Sequence, residues 1–406
     1  MISLDYLVNP ANYESLCAAM EARKGLEMFK NFLEQYKKVA ETMTLPPTEE
    51  LEDRARYMTL QEVNNPQDEI GKMLALYLSL PNVSHKIVPL GNSSEQNIIL
   101  KESAPKTYQT KKNYEQIGAE FGIFSKSMNE TIAEMGFPVL SGVGPKLERA
   151  LIGLMLDHHA DYGYDEISMP ILTHERTFFM AGSFPKHQHN VYKIEGTSLY
   201  LNPTIEMQET SLIRNRKFEY DELPMKVVGF ARSFRVERGR EIDLYTNLHE
   251  FGKVESFTVC REDQWEEVLD SLSAMLENLL EKLGFMWRKL LLCTGDMGQA
   301  GSFTCDYEIY APGLKKWLEI SSLSYRATFQ ACSLNATYLT PEGEKKYVHT
   351  YNTPGFAIPR VFAALLECMY QEDGTLKIPD CLVGRCGLPA VVKKDTYFSQ
   401  LIKNKG

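Results

Sequence analysis

The 406-residue chain contains no run of about 18 or more apolar residues, so a membrane span is not expected. Its opening segment, Met1 to Pro10, lacks the basic n-region and apolar h-region of a secretory signal. That segment is acidic rather than arginine-rich, so it does not read as a mitochondrial presequence either. Positive charge is in deficit, with 44 Lys and Arg against 54 Asp and Glu and a net charge of −10. Such a balance argues against a protein that coats nucleic acid nonspecifically, but leaves room for a local basic patch that grips one RNA. The eight cysteines, Cys17, Cys260, Cys293, Cys305, Cys332, Cys368, Cys381 and Cys386, form no C-x-x-C pair. They read as reduced intracellular thiols, and the expected location is cytoplasm or mitochondrial matrix. Gly142-Val-Gly144 is followed by no third glycine at dinucleotide spacing and follows no clear buried strand, which discounts a Rossmann reading.

What remains is the composition of a globular chain, 44% hydrophobic and 24% charged, long enough for two domains. Residues 16–43 carry Leu26, Met28, Phe29, Phe32, Leu33, Tyr36 and Val39 at spacings near three and four, which predicts a helix. A second helix is expected from Glu69 to Leu80, ending before Pro81. The stretch between them reads as turn-rich. It holds Pro46, Pro47 and Pro66, and eight acidic residues against two basic ones from Glu41 to Glu69. Each interior proline costs a helix about 3 kcal/mol, so a short or broken helical hairpin is expected rather than one long arm. Pro81, Pro89, Gly91 and Asn92 mark a linker, and residues 1–110 are assigned to this arm and linker.

From about residue 111 to 406 the pattern becomes α+β. Helical stretches (114–121, 145–162, 261–283, 359–371) alternate with short apolar strands (199–201, 225–231, 253–260, 290–293, 306–310, 317–321). Most strands come as hairpin-like pairs, which favours an antiparallel sheet flanked by helices.

Two segments carry the chemistry. In Phe230-Ala-Arg-Ser-Phe-Arg-Val-Glu-Arg-Gly239, Arg235 and Glu237 stand two apart and on a strand face one side. The arginine can fork onto a phosphate or carboxylate, and the glutamate can accept from an amino group. A solvated charged face on a hairpin is the competing reading. The second segment is Gly355-Phe-Ala-Ile-Pro-Arg360, opening an apolar helix. A cation at a helix N-terminus is disfavoured unless an anion joins it, which points to a phosphate near Arg360. His187 and His189 lack a third ligand at set spacing and read as a surface loop.

Together these segments resemble the three signature motifs of class II aminoacyl-tRNA synthetases, in the seryl version of the bacterial and eukaryotic type. The stretch Phe137 to Leu151 with Tyr164-Asp-Glu-Ile-Ser-Met-Pro170 resembles motif 1, Arg235 through Glu255 motif 2, and Gly355 through Glu367 motif 3. Asn202-Pro-Thr-Ile-Glu206, Cys293-Thr-Gly-Asp-Met-Gly298 and Trp317-Leu-Glu-Ile-Ser-Ser322 resemble stretches specific to the seryl enzymes, and the N-terminus and the 80–91 linker are also similar. The resemblance implies ATP and Mg²⁺ as cofactors, with L-serine and tRNA as partners and a dimer built on motif 1. By it, Arg235 would meet the α-phosphate and the amino-acid carboxylate, Glu237 the adenine amino group, Phe251 the adenine ring, and Arg360 the γ-phosphate. Glu319 and Ser322 would bind the metal. Thr204, Glu206 and Glu255 would line the serine pocket, together with Asn352.

The chain departs from the family pattern at several places. A second motif 2 arginine is Asn247, His-Gln-Phe is His249-Glu-Phe251, a pocket serine is Pro354, and two arginines after Phe329-Gln-Ala331 are Cys332 and Ser333. The family's long coiled-coil arm is short and acidic here. Three readings therefore stand open: a working serine–tRNA ligase, a ligase for another small amino acid, or a non-ligating paralogue that partners a true seryl-tRNA synthetase. The last resembles the seryl-synthetase-like proteins of insect mitochondria. RNA contact is expected, if made, around Arg214, Arg216 and Lys217 rather than on the acidic arm.

Overall fold

The computed structural model describes residues 1–239 and 241–394. After a short helix at Leu4–Val8, five more follow near the N-terminus: α1 (Tyr13–Ala22), α2 (Leu26–Thr42), α3 (Thr48–Tyr57), α4 (Leu60–Asn64) and α5 (Glu69–Ser79). The helix expected over 16–43 is thus broken. Lys24 takes φ +57°, and a Cβ on Gly25 would lie 2.8 Å from the Pro81 ring, so the chain turns where only glycine lets the linker approach. The stretch expected to be turn-rich instead holds α3 and α4. Pro47 stands at the N-cap of α3, outside the hydrogen-bonded interior, where a missing N–H costs nothing. Thr59 and Glu62 form a capping box on α4, and Asp68 caps α5 by accepting from the Gly71 N–H at 2.5 Å.

These helices do not project from the body. Phe29, Phe32, Leu51, Met73 and Tyr77 share one buried cluster with Phe178, Phe184, Tyr200, Met207 and Phe329 of the following region. Polar contacts fasten the seam. Arg56 Nε donates to the Cys332 carbonyl at 2.8 Å, and its Nη2 meets Glu52 at 2.9 Å, both side chains being 5% exposed. Glu52 also accepts from the Leu4 N–H at 2.7 Å and the Tyr347 hydroxyl at 3.4 Å. Cys332 and Ser333 are therefore buried beneath the N-terminal helices, where arginines would bring unpaired charge into a closed seam.

The main sheet has eight strands: β1 (Ile98–Glu102), β2 (Asp165–Glu166), β3 (Met225–Phe234), β4 (Glu250–Cys260), β5 (Trp287–Leu291), β6 (Phe303–Ala311), β7 (Lys316–Ala327) and β8 (His349–Ala357). Their spatial order is β1-β5-β6-β7-β8-β4-β3-β2, antiparallel throughout except for the short β2–β3 pair. β1 falls within the stretch read as linker, so the sheet begins before residue 111. β8 is a strand the sequence reading missed, because Pro354 and Gly355 look like breakers. Pro354 is accommodated at a register shift between Pro354 and Phe356.

Strand alternation sorts the two faces. Val254, Leu323, Tyr325 and Phe356 join the core with Leu147, Leu276 and Phe362 of three helices: α6 (Gly144–Ala160), α7 (Trp265–Leu283) and α8 (Ile358–Met369). The intervening residues Lys253, Glu255, Ser322 and Ser324 turn the other way and line a cavity. Among the described residues no helix is long and apolar enough to cross a membrane.

If the Glu52–Arg56 pair holds the seam, Glu52→Ala should cost about 3 kcal/mol, since it leaves a buried guanidinium short of its main partner. Glu49→Ala, at an 85% exposed side chain, should shift stability by no more than about 0.5 kcal/mol. Urea unfolding of both variants checks this, and equal losses would contradict it.

Candidate active site

The cavity on the open face of the sheet measures about 290 Å³. It is lined by Glu206, Arg235, Glu237, Asn247, Phe251, Glu255, Glu319, Ser322, Asn352 and Arg360 among others. Thr204 lies behind it, donating to Glu255 Oε2 at 2.9 Å. The candidate site residues, drawn from segments more than 150 positions apart, thus converge.

Arg235 and Glu237 lie just past the end of β3, not on it as the spacing suggested, yet both face the cavity. Arg235 sits 5.1 Å over the Phe251 ring and donates from Nε to the Pro203 carbonyl at 2.9 Å. Burial, and beyond it the neighbouring Arg360, push its guanidinium below the ordinary value, although Glu237 works in the opposite sense. Arg360 lies in the first turn of α8 and donates to the Glu319 carbonyl at 2.6 Å, with the Glu319 carboxylate 3.8 Å away.

Asn247 sits in a loop organised by Asp243, whose Oδ1 accepts from the N–H groups of Tyr245, Thr246 and Asn247. Its own side-chain amide is turned to the Glu241 carbonyl. A neutral group tied to backbone replaces whatever charge an arginine would bring there. Pro354 faces the cavity opposite Glu255, and its carbonyl accepts from Ser321 Oγ at 2.6 Å.

Oxygen ligands cluster at one end. Ser322 Oγ is 3.4 Å from Glu319 Oε1, and Asp306 pairs with Ser322 across β6 and β7. Asp306 Oδ1 is buried without a hydrogen-bond partner, and burial together with Glu319 pushes its carboxyl well above the usual range. A hard divalent cation at Glu319 and Ser322 suits this donor set.

The other end is the floor. Glu255 is fully buried, paired with Lys253 and bonded to Thr204, and burial raises its carboxyl even against the opposing lysine. Its Oε1 and the Asn352 Nδ2 have no hydrogen-bond partner. Glu206 Oε1 accepts from Arg326 Nη2 at 3.1 Å and Gln330 Nε2 at 3.2 Å. Sequence reasoning missed Arg326. The signal was its place two and four residues after Ser324 and Ser322 on one strand, which puts all three on the cavity face.

A family model described as the tRNA synthetase class II core domain (G, H, P, S and T) matches residues 190–369. The fold is that of a class II synthetase. The serine–tRNA ligase of Thermoanaerobacter pseudethanolicus is 35% identical over 311 residues, covering 75% of this chain and 74% of that one. The serine–tRNA ligase of Roseiflexus sp. is 32% identical over 404 residues, covering 95% of each. Among solved structures, the seryl-tRNA synthetase from Pyrococcus horikoshii complexed with ATP matches with TM-score 0.83 at 23% identity, over 97% of this chain and 100% of that one. The chain belongs to the seryl-tRNA synthetase family.

Behind the floor, Glu209 is fully buried, neither of its oxygens has a partner, and burial next to Glu255 drives its carboxyl well above the usual range. Lys253 opposes that shift and Glu206 adds to it. A carboxyl raised on folding contributes stability that is present below its unfolded value, near 4.5, and is lost as pH rises. The loss of stability between pH 5 and pH 8 should therefore be smaller in Glu209→Gln than in the wild type. Urea midpoints at the two pH values measure it, and parallel slopes would mean that Glu209 is ionised in the fold.

Proposed function

We propose that this chain binds Mg-ATP in the cavity and activates L-serine for transfer to tRNA(Ser), at a reduced rate. The observation that carries this reading is the convergence of Arg235, Glu237, Phe251, Glu319 and Arg360 on one cavity. Arg235 and Arg360 offer cations to the phosphates, Glu237 an acceptor to the adenine amino group, and Phe251 a ring face. Glu319 and Ser322 are the residues that would hold Mg²⁺, which when bound neutralises phosphate charge. The serine carboxylate oxygen attacks the α-phosphorus, an oxygen–phosphorus bond forms, and pyrophosphate leaves. The residues align and neutralise; none acts as nucleophile.

A second reading, a non-ligating partner of a true seryl-tRNA synthetase, is favoured by Asn247, whose amide is spent on the loop backbone. In either case tRNA would meet the face carrying exposed Arg214 and Lys217. Arg216 is already paired with Glu222 at 3.3 Å.

Because a ligand bound only to the folded state stabilises it, Mg-ATP at roughly 100 times its Kd should add about 2.7 kcal/mol and raise the melting temperature. Arg235→Ala should abolish that rise. In ATP–pyrophosphate exchange, L-serine and no other amino acid should give a slow signal. Mg-ATP binding without any exchange would favour the second reading, and no binding at all would sink both.

The chain should also be dimeric, through α6 and the strand near Ile167. In sedimentation at micromolar concentration this predicts a species of twice the chain mass, either alone or with a related synthetase. A monodisperse monomer under both conditions would contradict the assignment.

A further inference from the structure

The floor of the cavity already contains its own cations. Glu206 and Glu255 are the carboxylates there, and an amino acid's α-ammonium would need one of them. Glu206 Oε1 is held by the Arg326 guanidinium and by Gln330, and the Glu206 and Arg326 side chains are both 13% exposed. Glu255 Oε2 is held by Lys253 and Thr204. The Arg326 side chain is fixed at a second point, since its Nε donates to Asn352 Oδ1 at 3.2 Å.

The outer ring is equally set. Asn82, on the segment leaving α5, donates to the Arg326 carbonyl at 2.9 Å, and Thr350 Oγ1 donates to Gln330 Oε1 at 2.7 Å. The guanidinium is thus part of a chain Thr350–Gln330–Glu206–Arg326–Asn352 rather than a loose side chain. Two polar atoms on the floor remain unpartnered, Glu255 Oε1 and Asn352 Nδ2, both on side chains almost wholly buried. One accepts and the other donates, which is the complement of a single hydroxyl.

We infer that Arg326 takes the place of a substrate ammonium on Glu206, so that the subsite beside the nucleotide receives the serine hydroxyl but holds the α-ammonium only weakly, which slows activation. The inference rests on the reading of the cavity as a nucleotide site. Arg326 acts as the specificity-determining residue. A second cation on this floor must either displace the guanidinium from a carboxylate and an amide at once, or share the Glu206 carboxylate with it.

The test uses calorimetry on the full chain with two probes, AMP and the non-hydrolysable seryl-adenylate analogue 5′-O-[N-(L-seryl)sulfamoyl]adenosine. In Arg326→Gln, the seryl probe should bind at least about tenfold more tightly than to the wild type, while AMP stays within about twofold. Arg326→Lys retains the charge and should behave as the wild type. Arg326→Met serves as a second neutral variant, and cooperative melting identifies the folded proteins. No gain on the seryl probe in the folded neutral variants, with AMP binding intact, overturns the inference. Failure of AMP to bind the wild type overturns the nucleotide reading and the inference with it.

Discussion

Two carboxylates at the floor of the cavity, Glu206 and Glu255, must be neutralised where little water reaches them. Burying a carboxylate without a partner costs several kcal/mol, so the surrounding chain has to supply cations or protons. Here it does both. Lys253 answers Glu255 from two residues along the same strand, Arg326 answers Glu206 from β7, and Glu209, which has no such partner, is pushed toward its neutral acid form. The ring of donors and acceptors that results ties together β4, β7 and β8 and reaches, through Asn82, the linker that leaves the N-terminal helices.

The sheet makes that arrangement possible. Period-two alternation on antiparallel strands sends Val254, Leu323 and Tyr325 into a core shared with three helices and turns Lys253, Glu255, Ser324 and Arg326 to the opposite face. A proline in a central strand would normally break the ladder, but Pro354 stands at a register shift, keeps its carbonyl bonded to Ser321, and presents its ring to the cavity. The two ends of the cavity then differ in kind. At one, Arg235 and Arg360 bring two cations beside the oxygens of Glu319 and Ser322. At the other, the charges are matched internally.

Much of this was legible in the sequence, for physical reasons. Arg235 and Arg360 announce themselves because charged side chains at strand ends and helix starts have few structural reasons to be there. β8 was not legible, since a Pro-Gly pair reads as a turn until a strand on each side supplies the pairing. Arg326 was not legible either; an isolated arginine after two serines is ordinary until Glu206, 120 positions away, is seen to meet it. The substitutions at Cys332 and Ser333 looked like losses of function. They lie beneath α3, where Arg56 occupies the space and bonds the Cys332 carbonyl, so they belong to the docking of the N-terminal helices and not to the cavity. That docking also explains why a short acidic arm is tolerated: its apolar face is spent on the body of the protein.

On the proposed reading, the nucleotide end of the site is open to ligand, while at the amino-acid end Arg326 already occupies a carboxylate that a substrate ammonium would use. Calorimetric titration of the wild-type chain with AMP and with the seryl-sulfamoyl analogue compares the two ends directly. A working synthetase binds such an adenylate mimic at least about a hundredfold more tightly than the simple nucleotide, because the amino-acid moiety adds its own contacts. With Arg326 on Glu206 the two affinities should lie within about tenfold of each other; a seryl analogue bound roughly a thousandfold more tightly than AMP would show that the guanidinium does not compete with the ammonium.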